Sequence, residues 1–567
     1  MPSPTGHLHL QITEYRAKDG RSAPADRGTL AVPLSRERPD TGRAELAFVR
    51  LPALDPHPAR VPVIFLTGGP GLSAIASGRG RLFDFFAALR STGDVILLDQ
   101  RGCGESVPLL RCDAPLRIPL DRAVTRHEFN AAAADAMRRC VAALTAQGID
   151  VAAFNSNESA DDVAALAQAL GYARVNLLGW SYGSHLAMAV MRRHRQIVHR
   201  AVLAGPEGPD QTWKLPSRVH AQLDRLSAAA GFDATQAVRA ALERAGRRAV
   251  RIPWGDGTTA AIGGFDVEWV LSEAIADTRV LKRLPPILAE MAAGDVTGIA
   301  RDPVLRGIFE EFRGGLFQSP LRYCVDCASG ASPERQRRIE REAEALPLGR
   351  TIDWPCPEIC AAVGSPDLGG TFRAPLRSDV PVLFITGTLD CRTPGDNARD
   401  LAPDLLSPRH LTVDGAGHGD LLLPRAVHAA VTEFLRSGNL ETAHVPMPDP
   451  FVPERPRATL VFDGECAFCR SRAQRLSHRA GGGLALIPYQ EIGARLDEIP
   501  REQFARTVHL VTPEGRVLTG AEAILQASAF ASRLGRLLLA GYRHVPGFRL
   551  VAEAGYRLIA RNRAHLS

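Results

Sequence analysis

Residues 175–190, "VNLLGWSYGSHLAMAV", set Ser181 between two glycines, after an apolar run and before a helix-like spacing of Leu186, Ala187, Val190 and Met191. A strand, a sharp turn and a helix in that order present a serine hydroxyl at the apex of the turn. A hydroxyl is a weak nucleophile until a histidine takes its proton and an acid orients that histidine. Downstream, "PVLFITGTLDCRTP" sets Asp390 just beyond an apolar run, and "HLTVDGAGHGDLL" sets His418 in a Gly-rich loop after the next one. Singly, Asp390 reads as a loop-capping acid and His418 as a turn histidine. In this order and these contexts they read as orienting acid and catalytic base for Ser181. Charge developing on a substrate oxygen would need backbone N–H donors. "FLTGGPG" (65–71) offers Gly69, and the residue after the nucleophile offers the N–H of Tyr182. No Lys-Ser or Lys-Thr follows the glycines, which excludes a nucleotide P-loop.

A second constellation lies near the other end. "LVFDGECAFCRSRAQRL" (460–476) is a strand, a short turn, then Cys466 and Cys469 opening a helix. A helix N-terminus favours a thiolate, so Cys466 reads as the attacking thiol and Cys469 as the resolving one. A zinc knuckle would need more ligands than this stretch supplies.

The elements that must carry these residues are legible as short apolar runs. They fall at 61–66, 94–99, 174–179, 200–205, 381–386 and 410–415, and lack alternation, as strands of a parallel sheet buried on both faces do. Helical segments separate several of them, which predicts a doubly wound, mostly parallel α/β sheet. In "SADDVAALAQALG", Ser159 and Asp162 are expected to form a capping box, with Gly171 as the stop. From about 206 to 378 the strand pattern lapses into helical segments, an inserted helical cap over the strand ends. Residues 1–437 are thus expected as one domain, 438–457 as a Pro-rich linker, and 458–567 as a small second domain.

Several of these motifs travel together. "VPL" (32–34), "TGGPG", "DQRGCGES" (99–106), "ADDVAALAQALGYARVNLLGWSYGS" and "GTLDCRTP" resemble the prolyl and tripeptidyl aminopeptidase family of α/β-hydrolases over roughly residues 25–440. That resemblance implies release of N-terminal residues from short peptides beneath a helical cap. It assigns Ser181, Asp390 and His418 as the triad, Gly69 and Tyr182 as the oxyanion site, and Asp99 to Gly102 as a buttress. An aminopeptidase also needs buried carboxylates for a cationic amine, and Glu207 and Asp210 are the candidates. Asp463-x-x-Cys466-x-x-Cys469, "VHLVTPEGRVLTGAEAIL" and "YRLIARNR" (556–563) resemble the DCC-type thiol-disulfide oxidoreductases, which implies a thioredoxin-like fold and a thiol or disulfide partner.

Cys324 and Cys327 with Cys356 and Cys360 read in two ways. They are halves of a four-thiolate zinc site, although the second spacing is loose, or inherited disulfide and free-thiol positions. The aminopeptidase resemblance favours the latter, with a further pair similar to Cys112 and Cys140; no metal site is expected, and hydrolysis by the triad needs no cofactor.

Composition bounds the rest. The 567 residues are too many for one core, and 45% hydrophobic with 23% charged residues is ordinary globular usage. The net charge of +6 is nearly all arginine, with lysine only at 18, 214 and 282, and no basic block interleaved with aromatics points to nucleic acid. No apolar run reaches the length of a membrane span. The N-terminus lacks a basic start and apolar core, so a cytoplasmic location is expected, although ten cysteines sit awkwardly there. The basic tail from Arg549 to Arg563 reads in two ways, as a surface for anionic lipid or as a solvated helix face, and the latter is the expectation. Two rivals keep the same residues in other roles. One is an ester or amide hydrolase with the same triad; the other is a dithiol oxidoreductase whose larger domain only binds peptide.

Overall fold

The computed structural model describes residues 7–55, 57, 60–113, 116–255, 257–314, 317–447, 458–480, 484–491, 499, 501–513 and 516–562. The chain forms two compact units, Met1–Val452 and Pro453–Ser567. Strands β1 (Leu8–Arg16), β2 (Ser22–Pro33) and β3 (Arg43–Leu51) form an antiparallel wing of the first unit's sheet. The central strands β4 (Val63–Leu66), β5 (Val95–Leu98), β6 (Val175–Trp180) and β7 (Val198–Ala204) run parallel. After a cap hairpin of β8 (Val250–Gly255) and β9 (Thr258–Ile262), the sheet resumes with β10 (Val382–Gly387), β11 (Arg409–Asp414) and β12 (His444–Pro446). The ten sheet strands lie in the order β1-β2-β3-β5-β4-β6-β7-β10-β11-β12.

The reason for the unalternating apolar runs is visible in β4 and β5. Ile64, Leu66, Ile96 and Leu98 pack into one core, while Val63, Phe65, Val95 and Leu97 pack into the core on the opposite face. Helices 126–146, 156–169 and 182–193 cover the first face, and helices 83–89 and 425–437 cover the second. The cap has its own core, built from helices such as Pro216–Ala230, Ala234–Arg247 and Gly264–Ala274. It is helical as expected, apart from the β8–β9 hairpin.

Two expectations are corrected. The helix containing Asp162 begins at Ser156 and is capped by Asn155, whose side chain accepts from the N–H groups of Asn157 and Glu158. Ser159 and Asp162 therefore lie inside the helix, and Asp162 binds arginines instead of capping. The start is a full turn early because Asn155 is the better-placed oxygen. Strand β12 also falls inside the stretch expected to be linker, where it pairs in parallel with β11. Residues 448–457 of the linker lie outside the described residues, as does Arg563 of the tail.

The second unit has strands β13 (Ala458–Phe462), β14 (Leu484–Pro488), β15 (His509–Val511) and β16 (Val517–Thr519) in the order β14-β13-β15-β16. β13 and β14 are parallel, whereas β15 and β16 add antiparallel, which is the thioredoxin-like arrangement. Among the described residues, no helix is long and apolar enough to cross a membrane.

Candidate active site

Ser181 follows β6 and precedes the helix Tyr182–Arg193 with φ 57° and ψ −126°, a backbone conformation that side-chain-bearing residues rarely adopt. The two glycines of Gly-Trp-Ser-Tyr-Gly make that turn possible. A Cβ on Gly179 would lie 2.4 Å from the Gly183 carbonyl oxygen, and one on Gly183 would lie 1.8 Å from the Leu66 carbonyl oxygen. The turn is pinned by the Ser181 N–H donating to the Ala204 carbonyl at 2.9 Å.

The structure brings Ser181, His418 and Asp390 together. His418 Nε2 lies 2.9 Å from Ser181 Oγ, and His418 Nδ1 lies 2.9 Å from Asp390 Oδ2. With Nδ1 donating to the carboxylate, Nε2 is left as an acceptor facing the hydroxyl. Asp390 is 1% exposed and accepts from the N–H groups of Arg392 and Thr393, both at 2.9 Å. The Thr393 hydroxyl adds a bond to Asp390 Oδ2 at 2.8 Å and lies 3.0 Å from His418 Nδ1. Burial alone would raise this carboxyl's pKa, but His418 and these donors outweigh it and hold it below its ordinary value. Thr393 belongs to the "CRTP" stretch, yet its contact to both partners was not evident from sequence.

Gly68 and Gly69 line the same pocket as Ser181, and a Cβ on Gly68 would lie 2.9 Å from Ser181 Cβ. The Tyr182 N–H opens its helix and so has no intrahelical acceptor. The residues before and after Gly69 are tied down by the Asp99–Gly102 stretch. Asp99 accepts from the Ser73 hydroxyl at 2.8 Å, from Ile75 N–H at 3.1 Å and from Glu105 N–H at 2.9 Å. Gln100 Nε2 donates to the Thr67 carbonyl at 3.1 Å. Arg101, 1% exposed, makes two 2.7 Å bonds to Asp162 and further bonds to the Leu34 and Ala153 carbonyls.

The pocket over Ser181 encloses about 200 Å³ and is closed on the cap side by Arg322, Asp326, Asp353 and Cys356. Glu207 lies in it, buried, with Lys214 Nζ 2.8 Å from its carboxylate. Asp210 does not line it. Its carboxylate accepts from the N–H and hydroxyl of Ser332, both at 2.6 Å, and so holds the N-cap residue of the helix Pro333–Ala345, which corrects its reading as a candidate anchor.

Sequence reasoning missed two other acids in the pocket. Asp353 accepts from the Lys214 N–H at 2.6 Å, and burial, only partly opposed by the Lys214 charge, raises its pKa to about 7. Asp326 lies 3.4 Å from Arg322, and burial raises its pKa to about 6 against the pull of Arg322 and Lys214. Neither sits in a motif; each reaches Ser181 only through the fold of the cap.

The cap cysteines resolve as a disulfide. Cys327 pairs with Cys360, and Cys112 pairs with Cys140. Two of the four thiols needed for the zinc reading are thereby consumed, while Cys324 and Cys356 stay buried as thiols. In the second unit, the helix Ala467–Arg479 begins directly after Cys466, and the Cys469 N–H donates to Cys466 Sγ at 3.2 Å. Both thiols are half-buried.

Three family models match in turn along the chain. Residues 61–239 match the alpha/beta hydrolase fold, residues 348–446 match a TAP-like protein, and residues 460–567 match the DCC1-like thiol-disulfide oxidoreductase. The chain joins an α/β-hydrolase with a TAP-like segment to a DCC1-like domain. Serine protease Hip1 of Mycobacterium tuberculosis is 26% identical over 189 residues, covering 32% of this chain and 36% of Hip1. The chain therefore matches only about a third of Hip1's length. Putative hydrolase YuaR of Escherichia coli is 24% identical over 437 residues, covering 72% of this chain and 84% of YuaR. Among solved structures, the proline iminopeptidase-related protein of Thermus thermophilus is 18% identical, with a TM-score of 0.31, and covers 72% of this chain and 97% of that one.

Proposed function

We propose that this protein is a serine hydrolase that releases N-terminal residues from short peptides, carried in one chain with a dithiol oxidoreductase module. The observation that carries the reading is the unbroken hydrogen-bonded line from Ser181 Oγ through His418 to Asp390. His418 Nε2 takes the Ser181 proton as Oγ attacks the scissile carbonyl, and Asp390 steadies the imidazolium that forms. The N–H groups of Gly69 and Tyr182 receive the oxyanion. His418 then returns its proton to the leaving amine, and water hydrolyses the acyl-enzyme along the same route.

The amine-binding role belongs to Asp353 and Asp326. Glu207, the candidate from sequence, lies 2.8 Å from Lys214 Nζ and serves to hold that lysine in place, a closer pairing than the 3.4 Å between Asp326 and Arg322. A pocket of about 200 Å³ suits the side chains of one or two small residues; drug-sized ligands need roughly 300–1,000 Å³. The likeness to a serine protease supports peptide over ester. In the second unit, Cys466 attacks a partner's disulfide, giving a mixed disulfide and a released partner thiol, and Cys469 resolves it, leaving Cys466–Cys469 oxidised.

The test is a panel of aminoacyl and N-blocked aminoacyl chromogenic amides on the wild type and on Ser181→Ala. Cleavage of free-amine substrates only, abolished in Ser181→Ala, is the expected result. Equal cleavage of blocked substrates and esters would favour a general ester or amide hydrolase.

A further inference from the structure

The last two helices of the second unit expose an apolar surface that its fold does not use. Eight of the eighteen large apolar side chains exposed among the described residues lie between Leu534 and Ile559. In the helix Arg533–His544, Leu539 and Tyr542 turn inward and are nearly covered, whereas Leu534 and Leu537 are 64% and 69% exposed. At 100° per residue, Leu534, Leu537 and Leu538 fall within one stripe about 100° wide beside the inward face, and Val545 follows as an exposed residue at the helix end. In the helix Phe548–Asn562 no residue is buried, and Leu550, Val551 and Leu558 repeat the pattern, with Leu550 77% exposed. A concentration of exposed apolar side chains on this scale marks an interaction surface.

Charge says what the surface meets. Between 533 and 562 the chain has six arginines and a single acid, Glu553, whose carboxylate accepts from the Tyr542 hydroxyl at 2.7 Å. On the helical wheel Arg533, Arg536 and Arg543 lie to one side of the first stripe, and Arg557 and Arg561 border the second. Leucines on one face with arginines beside them, on helices too short and too charged to span, are the composition of a helix that lies in a membrane interface. A second copy of the chain would set six like charges against six, which disfavours a self-associating face. We infer that residues 533–562 dock the second unit onto an anionic lipid surface, apolar stripes in the acyl boundary and arginines among the headgroups. The solvated-face reading of the basic tail accounts for the arginines but not for the leucines beside them.

Flotation of the full-length protein with two kinds of vesicle tests this: phosphatidylcholine alone, and phosphatidylcholine mixed with phosphatidylglycerol. Binding to the anionic vesicles only, weakening as ionic strength rises, is expected. Arg536→Gln with Arg557→Gln lowers the partition coefficient about fivefold per arginine. Leu534→Ser with Leu537→Ser and Leu558→Ser lowers it about tenfold or more. All of these positions are exposed, so near-UV circular dichroism should be unchanged and confirm an intact fold. Absence of flotation, equal binding to neutral vesicles, or binding unaffected by either set would overturn the inference. So would a dimer in sedimentation that the leucine substitutions dissolve, which would make the face a contact between copies.

Discussion

At the scale of single residues, the pocket couples two kinds of proton chemistry. In the proposed reaction His418 must be neutral to accept the Ser181 proton, while Asp353 and Asp326 must be ionised to hold an ammonium group. Their carboxyls titrate at about 7 and about 6 because burial disfavours the charged form. As pH falls through that window they take up protons and lose the charge that faces the substrate. For a free-amine substrate, kcat/KM should therefore fall more steeply between pH 7.5 and 5.5 than it does for any residual cleavage of an N-blocked analogue. Asp353→Asn should remove most of that difference and raise KM for the free amine about tenfold, the size of one charge-assisted contact. An unchanged KM would transfer the role elsewhere. Thr393→Val should lower kcat by about tenfold with a smaller change in KM, since it loosens the Asp390–His418 alignment. These acids were out of reach of sequence reading because no periodicity or spacing links 326 and 353 to 181, whereas the triad announced itself through its flanking strands.

At the scale of elements, the site depends on how loops are braced. Arg101 is buried against Asp162 and two carbonyls, and it ties the loop after β5 to the helix Ser156–Ala169. Arg101→Met should cost about 3 kcal/mol of unfolding free energy in denaturant titration, because Asp162 would stay buried with Arg36 as its remaining partner. A loss under about 1 kcal/mol would show that solvent reaches Asp162. The central strands β4 and β5 were readable because residues buried on both faces leave no polar positions, whereas β11 alternates between more exposed and buried residues. The antiparallel wing was not readable, since β2 buries Ala23 and Ala25 on one face and Leu30 and Val32 on the other, interleaved with polar residues. Small buried residues in an alternating pattern carry little hydrophobic signal. The early start of the helix at Ser156 was hidden for a related reason: Asn155, Ser159 and Asp162 all have capping chemistry, and only the fold shows that Asp162 is claimed by arginines.

At the scale of the whole molecule, thiol chemistry frames the hydrolase. The Cys112–Cys140 and Cys327–Cys360 disulfides join four of the ten cysteines. Thiol titration of the denatured protein should therefore gain at least four thiols on reduction; no gain would mean that both bridges are open in the compartment where the protein resides. Cys112→Ser with Cys140→Ser should lower stability by about 3–4 kcal/mol, as expected for a bridge across 28 residues. The two-part organisation was legible in the Pro-rich stretch after residue 437, but its boundary was not, because three residues, His444–Pro446, join the sheet by backbone pairing that composition does not betray. The central claim remains that Ser181, His418 and Asp390 act as one nucleophilic unit. A fluorophosphonate probe followed by peptide mapping measures it most directly. Covalent label should appear on the peptide bearing Ser181, vanish in Ser181→Ala, and form at least about a hundredfold more slowly in His418→Ala. Label on another residue, or peptide turnover that survives Ser181→Ala, would contradict it.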